Sequence, residues 1–202
     1  MGKRCPYCPT VLQALQALAA TGAISKLETV VIEDNPELAA ELGVRSVPWV
    51  RIGPYELAGL RSEQELREWA DKAGSEAGLM SYLDELLSSG GINKGIALVR
   101  NEPQAIHALL SLFANPDTQL NTRIGISAIM EDLEGSELLT GVIEQLGKLT
   151  THAEASIRGD ACHYLALSGD NKATSFIRPL LEDPDADVRE IARESLEKPG
   201  TT

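Results

Sequence analysis

Two cysteines three residues apart, at the opening of an apolar helical pattern, constrain this chain more than any other feature. A proline and a tyrosine separate Cys5 from Cys8, and in residues 11–18 leucines recur at helical spacing. The pattern predicts an amphipathic helix with Cys5 at its N-cap and Pro6 at the first helical position, where proline is well tolerated. Two thiols held together at the start of a helix are typical of a redox site.

The predicted position of Cys5 also predicts its chemistry. The backbone N–H groups of Tyr7 and Cys8 would point toward the Cys5 sulfur and, together with the helix dipole, would favour the thiolate. We therefore expect the pKa of Cys5 to fall from about 8.5 toward neutrality or below. Cys8 lies one turn further along the same face, where it is better shielded and could attack a mixed disulfide on Cys5. Cys5 is the predicted catalytic nucleophile and Cys8 the predicted resolving thiol.

The pair could instead be half of a structural zinc site. Such a site requires four ligands, and the other candidates, which lack CxxC or HxxxH spacing, are Cys162, His107, His152 and His163. The redox interpretation is therefore favoured, and neither a metal nor a cofactor is expected. Because Cys162 falls in the middle of a helical pattern, it is interpreted as a buried packing residue.

Charge and cysteine content limit the classes of partner. The 202 residues include 18 basic and 30 acidic side chains, a net charge of −12, which disfavours nucleic acid and anionic membranes because both attract clustered Lys and Arg. Proteins and small thiols remain as partners. Three cysteines do not make a disulfide framework, and this usage fits a reducing cytosol. No apolar run approaches about 18 residues and no signal-peptide core is present, so a cytoplasmic location is expected.

Residues 1–74 show a mixed pattern of helices and strands. After the first helix, the predicted elements are a strand at 27–32, a helix at 37–42, strands at 44–52 and 55–58, and a helix at 63–72. The order is helix, strand, helix, strand, strand, helix.

Several motifs of this segment occur together in one superfamily. The sequences CPYC at 5–8, EDNPELA at 33–39 and GVRSVP at 43–48, with Gly59, resemble the thioredoxin/glutaredoxin superfamily over about residues 5–73. The resemblance implies an α/β thioredoxin-like domain with thiol–disulfide oxidoreductase activity. Its partners would be protein disulfide or dithiol substrates and a recycling reductase or small thiol.

The same resemblance implies a substrate-binding edge. The Val47–Pro48 peptide bond would be cis and would lie beside the two cysteines, and the Val47 backbone would pair with a bound polypeptide. Pro6 and Tyr7, on the loop that carries the cysteines, complete the predicted substrate-binding residues.

The start of the chain departs from this superfamily. There a β-strand runs directly into the two cysteines, whereas here only four residues precede Cys5. We therefore expect the leading strand to be missing from this chain, either because the true start lies upstream or because the sheet is incomplete. Residues 27–58 alone would supply three strands with a vacant slot, which a strand from upstream or from another chain could fill.

From Ser75 onward only helical patterns appear. The predicted helices span residues 76–87, 92–99, 103–113, 118–133, 137–149, 153–167, 172–181 and 187–197. Arg123, Arg158 and Arg189, spaced 35 and 31 apart, each fall early in a helix that follows a polar break. This spacing matches a short repeat of helical pairs. The stretch DPDADVR at 183–189, with Ala192 and Leu196, resembles HEAT-like repeats, which implies an all-α repeat domain over residues 75–202 with a protein-binding surface. The first domain would then span residues 1–74.

Two functions follow from this organisation. The first is a thiol–disulfide oxidoreductase whose HEAT-like half binds or presents protein partners. The second is a non-catalytic scaffold or adaptor that carries a thioredoxin-like module. Two thiols at a helix N-terminus favour the enzyme, because an adaptor has no physical need for them.

Overall fold

The computed structural model describes residues 1–197, which form two compact units. The first unit comprises residues 1–79 and the second begins at Met80. The last five residues of the predicted helical domain, 198–202, lie outside the described part. The predicted domain boundary after Gly74 stays a prediction.

The first unit combines three helices with one hairpin. Its elements are α1 (Cys8–Ala20), α2 (Pro36–Glu41), β1 (Trp49–Ile52), β2 (Tyr55–Ala58) and α3 (Glu63–Lys72). The two strands pair antiparallel, with Trp49 opposite Ala58 and Ile52 opposite Tyr55. The connecting turn needs the positive φ of Gly53, +55°, which glycine adopts without steric cost.

The core of this unit lies where α1 and α3 pack together. Leu18 and Leu66 are fully buried, and the rings of Tyr55 and Trp69 pack at a centroid distance of 5.0 Å. The Tyr55 hydroxyl donates to the Lys72 carbonyl at 3.1 Å, which ties the hairpin to the end of α3. This packing fixes α1, which begins with Cys8 and directly follows the loop that holds Cys5.

The predicted strand at 27–32 does not form, so the expectation of three strands is wrong for the described residues, whose sheet has two. Residues 27–31 are irregular, and their backbone–backbone hydrogen bonds are made with Met1 and, from the Val31 carbonyl, with the Asp34 N–H at 3.2 Å. The Met1 ammonium donates to the Val30 carbonyl at 2.6 Å, and the Ile32 N–H donates to the Met1 carbonyl at 2.9 Å. A strand requires a neighbour that continues the ladder, and beyond Met1 no described segment supplies one. The strand predicted at 44–52 is also shorter, because it begins at Trp49.

The second unit is helical, and α4 runs into it from the first. The helices are α4 (Glu76–Ser88), α5 (Ile92–Asn101), α6 (Ala105–Ala114), α7 (Leu120–Asp132), α8 (Glu137–Thr140), α9 (Ile143–Leu149), α10 (Ala155–Leu167), α11 (Thr174–Ile177) and α12 (Ala186–Glu197). Two 3₁₀ turns, Asn171–Ala173 and Arg178–Glu182, flank α11.

Two of the predicted helices in this unit are interrupted. The predicted helix 137–149 is divided into α8 and α9 at Gly141, the C-cap of α8. The predicted helix 172–181 is a 3₁₀ turn, one short α-helix and a second 3₁₀ turn. Pro179 is the second residue of that second turn and supplies no N–H for an α-helical hydrogen bond.

The three repeated arginines make the same local contact. Each donates to carbonyls of the segment that precedes its own helix. Arg123 donates to the Asn115 carbonyl at 2.9 Å, Arg158 to that of His152 at 2.9 Å, and Arg189 to that of Asp183 at 2.6 Å. The sequence repeat therefore corresponds to a recurring structure, in which an arginine ties the helix to its entry segment.

Candidate functional site

Cys5 lies in the loop before α1 rather than at its N-cap. The helix begins at Cys8 with Tyr7 as the capping residue, and its first hydrogen bond joins the Val11 N–H to the Tyr7 carbonyl at 3.2 Å. The predicted N-cap position of Cys5 is therefore wrong. The reason is Pro9, which has no N–H to bond the Cys5 carbonyl, so the helical ladder cannot reach back to Cys5.

The backbone nevertheless donates to the Cys5 sulfur. The Cys8 N–H lies 3.1 Å from Cys5 Sγ. Partial desolvation raises the pKa of Cys5, but hydrogen bonds from the Cys8 thiol and from the N–H groups of Tyr7 and Cys8 outweigh it and lower the pKa below its ordinary value. The lowered pKa favours the thiolate of Cys5. Because Cys5 is also partly exposed, a molecule in solution can reach that thiolate.

Cys8 has the opposite environment. Its side chain is 1% exposed, and the Gly2 N–H approaches its sulfur at 3.5 Å. Burial, and then the hydrogen bond to Cys5, raise the pKa of Cys8 above its ordinary value. The structure thus distinguishes one reachable, acidified sulfur from one shielded, less acidic sulfur.

The Val47–Pro48 segment lies beside the cysteines. Its peptide bond is cis, as the resemblance implied. A side chain placed on Gly2 would meet Val47 Cγ2 at 3.0 Å and Cys5 Cβ at 3.5 Å, so Gly2 fills the narrow space between these two residues. The sequence analysis missed Gly2, because a single glycine ahead of the cysteines carries no pattern that indicates close packing.

Comparison with known proteins identifies this part of the chain. Residues 1–71 match the family model described as a thioredoxin domain. The N-terminal part of the chain is a thioredoxin-like domain. No curated protein and no solved structure matches the chain.

The predicted substrate-binding residues of the thioredoxin-like domain have different exposures. Pro6 is exposed and the Tyr7 side chain is 54% exposed, both on the loop between the cysteines. Val47 is half-buried and Pro48 is buried, its carbonyl accepting the Gly59 N–H at 2.9 Å. The roles of these four residues in substrate binding stay predictions.

The other residues considered as ligands have structural partners. His107 hydrogen bonds to Gln145 at 3.0 Å, and His152 accepts the Glu154 N–H at 3.1 Å. His163 packs against the ring of Tyr164. Within residues 1–197, no group of three or more histidine, cysteine or acidic side chains could hold a metal ion.

Cys162 belongs to the core of the second unit. It is fully buried, its thiol lies 3.7 Å from the Ser195 hydroxyl, and burial raises its pKa to about 11. The prediction that Cys162 is a buried packing residue is confirmed.

Across residues 1–197, no helix has the length and apolar character needed to cross a membrane.

Proposed function

We propose that this protein is a cytoplasmic thiol–disulfide oxidoreductase whose working group is the Cys5/Cys8 dithiol. One observation carries the proposal. The partly exposed Cys5 sulfur accepts the Cys8 N–H at 3.1 Å, and the second thiol is buried next to it. The match of residues 1–71 to a thioredoxin domain supports the same chemistry.

The proposed reaction proceeds through two exchanges. The Cys5 thiolate attacks one sulfur of a substrate disulfide, forms a mixed disulfide and releases the other substrate sulfur as a thiolate. Cys8 then loses its proton and attacks Cys5, which releases the second substrate sulfur. The substrate gains two electrons and two protons, and the protein retains a Cys5–Cys8 disulfide. A reductase or a small thiol returns the pair to the dithiol form.

The asymmetry of the two thiols supports this order of events. Only Cys5 combines exposure with a lowered pKa, so it is the one that reacts with an external disulfide. Cys8, shielded by burial, reacts within the mixed disulfide. Substrate polypeptides would lie along Val47 and Pro48, with Pro6 and Tyr7 at the rim.

The reduction potential of the pair tests this proposal. The protein is equilibrated with glutathione or dithiothreitol buffers, and the Cys5–Cys8 disulfide is quantified by mass spectrometry after acid quenching. We expect a two-electron transition, and a midpoint between roughly −200 and −300 mV would indicate a reductase in the cytosol. A much higher midpoint would indicate an oxidant or isomerase. Failure of Cys5 and Cys8 to form a disulfide with each other would refute the proposal.

For the second unit we propose a HEAT-like repeat domain that binds a protein partner. The recurring arginine contacts support the repeat. On α7, Leu120 and Ile124 are 71% and 54% exposed and stand one turn apart, so they form an apolar pair on the surface. A protein partner would bury this pair.

Paired substitutions test the partner surface. Affinity purification with the Leu120→Ser/Ile124→Ser double variant should lose a protein that the wild type and Leu60→Ser retain. Leu60, 53% exposed in the first unit, is the matched control. If that protein is retained by Cys5→Ser and no disulfide exchange is detected with the wild type, the scaffold or adaptor function would replace the oxidoreductase.

A further inference from the structure

A carboxylate that the proposed thiol chemistry does not use stands next to the Cys5 loop. It belongs to Glu33, an exposed residue at the start of the sequence EDNPELA. The position that a Cβ would occupy on Gly2 lies 3.5 Å from Glu33 Oε1. The same position lies 3.5 Å from Cys5 Cβ and 3.0 Å from Val47 Cγ2. Glu33, Cys5 and Val47 therefore converge on a residue that has no side chain to separate them.

The backbone holds one oxygen of this carboxylate. The Lys3 N–H donates to Glu33 Oε1 at 2.9 Å. Within residues 1–197, the structure gives Glu33 Oε2 no hydrogen bond. A carboxylate has about four acceptor sites. One oxygen is therefore fixed beside Cys5 and Val47, while the other is open to a donor from a bound molecule.

The charge of Glu33 is not neutralised by an ion pair. The neighbouring ammonium group of Lys3 pairs with Asp34 instead. In the described part of the chain, no cationic side chain forms an ion pair with Glu33. Lysine and arginine side chains make the strongest hydrogen bonds to a carboxylate. Glu33 is therefore arranged to receive a cationic side chain that a substrate brings.

Two exposed arginines near this edge carry the opposite charge. Arg4 precedes Cys5, and Arg45 stands two residues before Val47. Among the described residues, neither guanidinium group has a hydrogen bond or ion pair that holds it. Ordering a long side chain costs conformational entropy. Because the Glu33 carboxylate is already held by the backbone, it should act on a substrate more strongly than either arginine.

We propose that Glu33 is a specificity-determining residue that favours substrate disulfides with a lysine or arginine within about two residues of the reacting cysteine. This inference rests on the proposed oxidoreductase function. A substrate that lies along Val47 while its sulfur meets Cys5 passes beside Glu33. Successive residues of an extended polypeptide are about 3.3 Å apart, so a long cationic side chain at this separation reaches the carboxylate.

Two peptide disulfides of opposite charge test this selection. Each blocked peptide has one cysteine, with a lysine or a glutamate two residues after it, and is oxidised to its symmetric disulfide. The reduced 202-residue protein is mixed in excess with each peptide, and loss of the disulfide is followed by chromatography after acid quenching. The readout is the lysine-peptide rate divided by the glutamate-peptide rate. A change in the reactivity of Cys5 alters both rates by the same factor and cancels in this ratio.

The charge of Glu33 should set this ratio. Glu33→Gln should lower it about three- to fivefold, because an exposed ion pair is lost. Glu28→Gln is the matched control, since it removes the same charge from an exposed carboxylate that already pairs with Lys26. It should change the ratio by less than about 1.5-fold. In 1 M salt, where the Debye length is about 3 Å, the wild-type ratio should approach that of Glu33→Gln.

A charge reversal and a chemical reductant complete the test. Glu33→Lys should lower the ratio further than Glu33→Gln, because it repels the lysine peptide and attracts the glutamate peptide. Dithiothreitol gives the intrinsic ratio of the two peptides, which the wild type should exceed. A wild-type ratio at or below the intrinsic value would show that the arginines outweigh Glu33 and would overturn the proposal.

The variants can also overturn the proposal. Equal ratios in the wild type and Glu33→Gln would show that Glu33 does not select the substrate, and an equal fall in Glu28→Gln would show that only net charge matters. Circular dichroism checks that each variant is folded, and the salt dependence of the wild type requires no variant. If the wild type reduces neither peptide, the oxidoreductase function itself fails, and this inference fails with it.

Discussion

The reactivity proposed for Cys5 originates in backbone donors. The N–H groups of Tyr7 and Cys8 and the neighbouring thiol act on the sulfur and lower the pKa of Cys5. The CxxC motif was sufficient to predict these donors. When two cysteines stand three residues apart at the start of a helix, the backbone N–H groups that follow the first cysteine point toward its sulfur. It did not predict the start of the helix, which Pro9 moves to Cys8.

The pH dependence of alkylation tests the acidity of Cys5. Because its pKa is lowered, Cys5 retains thiolate as the pH falls below about 8.5, the ordinary thiol value, and its rate declines only below its own pKa. At pH 7 we expect Cys5 to react with iodoacetamide at least about tenfold faster than Cys162, whose pKa is about 11. Peptide mapping by mass spectrometry separates the sites, and Cys162→Ser should leave the profile unchanged. Equal rates would contradict the account.

Among the elements, α10 and the entry to α12 are joined by a bidentate ion pair. Arg158 Nε and Nη2 donate to the two carboxylate oxygens of Asp183, each at 2.8 Å. The Asp183 side chain is 4% exposed, and the hydrogen bond from Arg158 is the main cause that lowers its pKa. Arg158 also donates to the His152 carbonyl in its own entry segment, so one side chain links the entry segments of α10 and α12.

Replacing Asp183 with asparagine should destabilise the protein. Loss of the charge-assisted contact should cost about 1.5–3 kcal/mol at pH 7, whereas Asp132→Asn, at the more exposed Arg100–Asp132 pair, should cost under about 1 kcal/mol. A lowered pKa stabilises the fold above the unfolded carboxyl value of about 3.9. The difference between wild type and Asp183→Asn should therefore shrink as pH falls through the folded pKa. Urea unfolding followed by circular dichroism measures both effects, and a pH-independent difference would contradict the ion pair.

The bounds of an element could be predicted where its own residues mark where it begins. The bounds of α3 agree with the prediction, because Ser62 and Glu65 form a capping box, with the Ser62 N–H donating to Glu65 Oε2 at 2.8 Å. The hairpin strand β2 follows a two-residue turn with a left-handed glycine. The prediction of a strand at 27–32 failed because strand formation depends on a neighbouring strand, which the residues of this segment do not reveal.

At the scale of the whole molecule, the chain comprises a thioredoxin-like domain and a helical unit with different cores. The first packs α1 and α3 around a small hairpin. In the second, the fully buried side chains are mainly aliphatic and come from successive helices, including Leu109, Ile129 and Leu165. Helices that pack in sequence order can stabilise one another through neighbouring contacts.

Residues 75–202 should therefore fold as a separate fragment. We expect a helical circular dichroism spectrum and a cooperative thermal transition, because the aliphatic core of this segment is built from its own helices. The full chain should then show a transition at a similar temperature. A fragment that is unfolded by circular dichroism would place both units in one core and refute the boundary after Gly74.

Mixed-disulfide trapping tests the central claim, the division of labour between Cys5 and Cys8, most directly. Each variant is incubated with a disulfide-containing peptide, quenched with acid and analysed by intact mass and peptide mapping. Cys8→Ser should accumulate one mixed disulfide on Cys5, because attack proceeds and the resolving thiol is absent. Cys5→Ser should trap almost none, because Cys8 is buried and its pKa is raised. Cys162→Ser should behave as the wild type, forming the Cys5–Cys8 disulfide and releasing reduced peptide. Equal trapping by Cys5→Ser and Cys8→Ser, or a mixed disulfide on Cys162, would contradict the proposed mechanism.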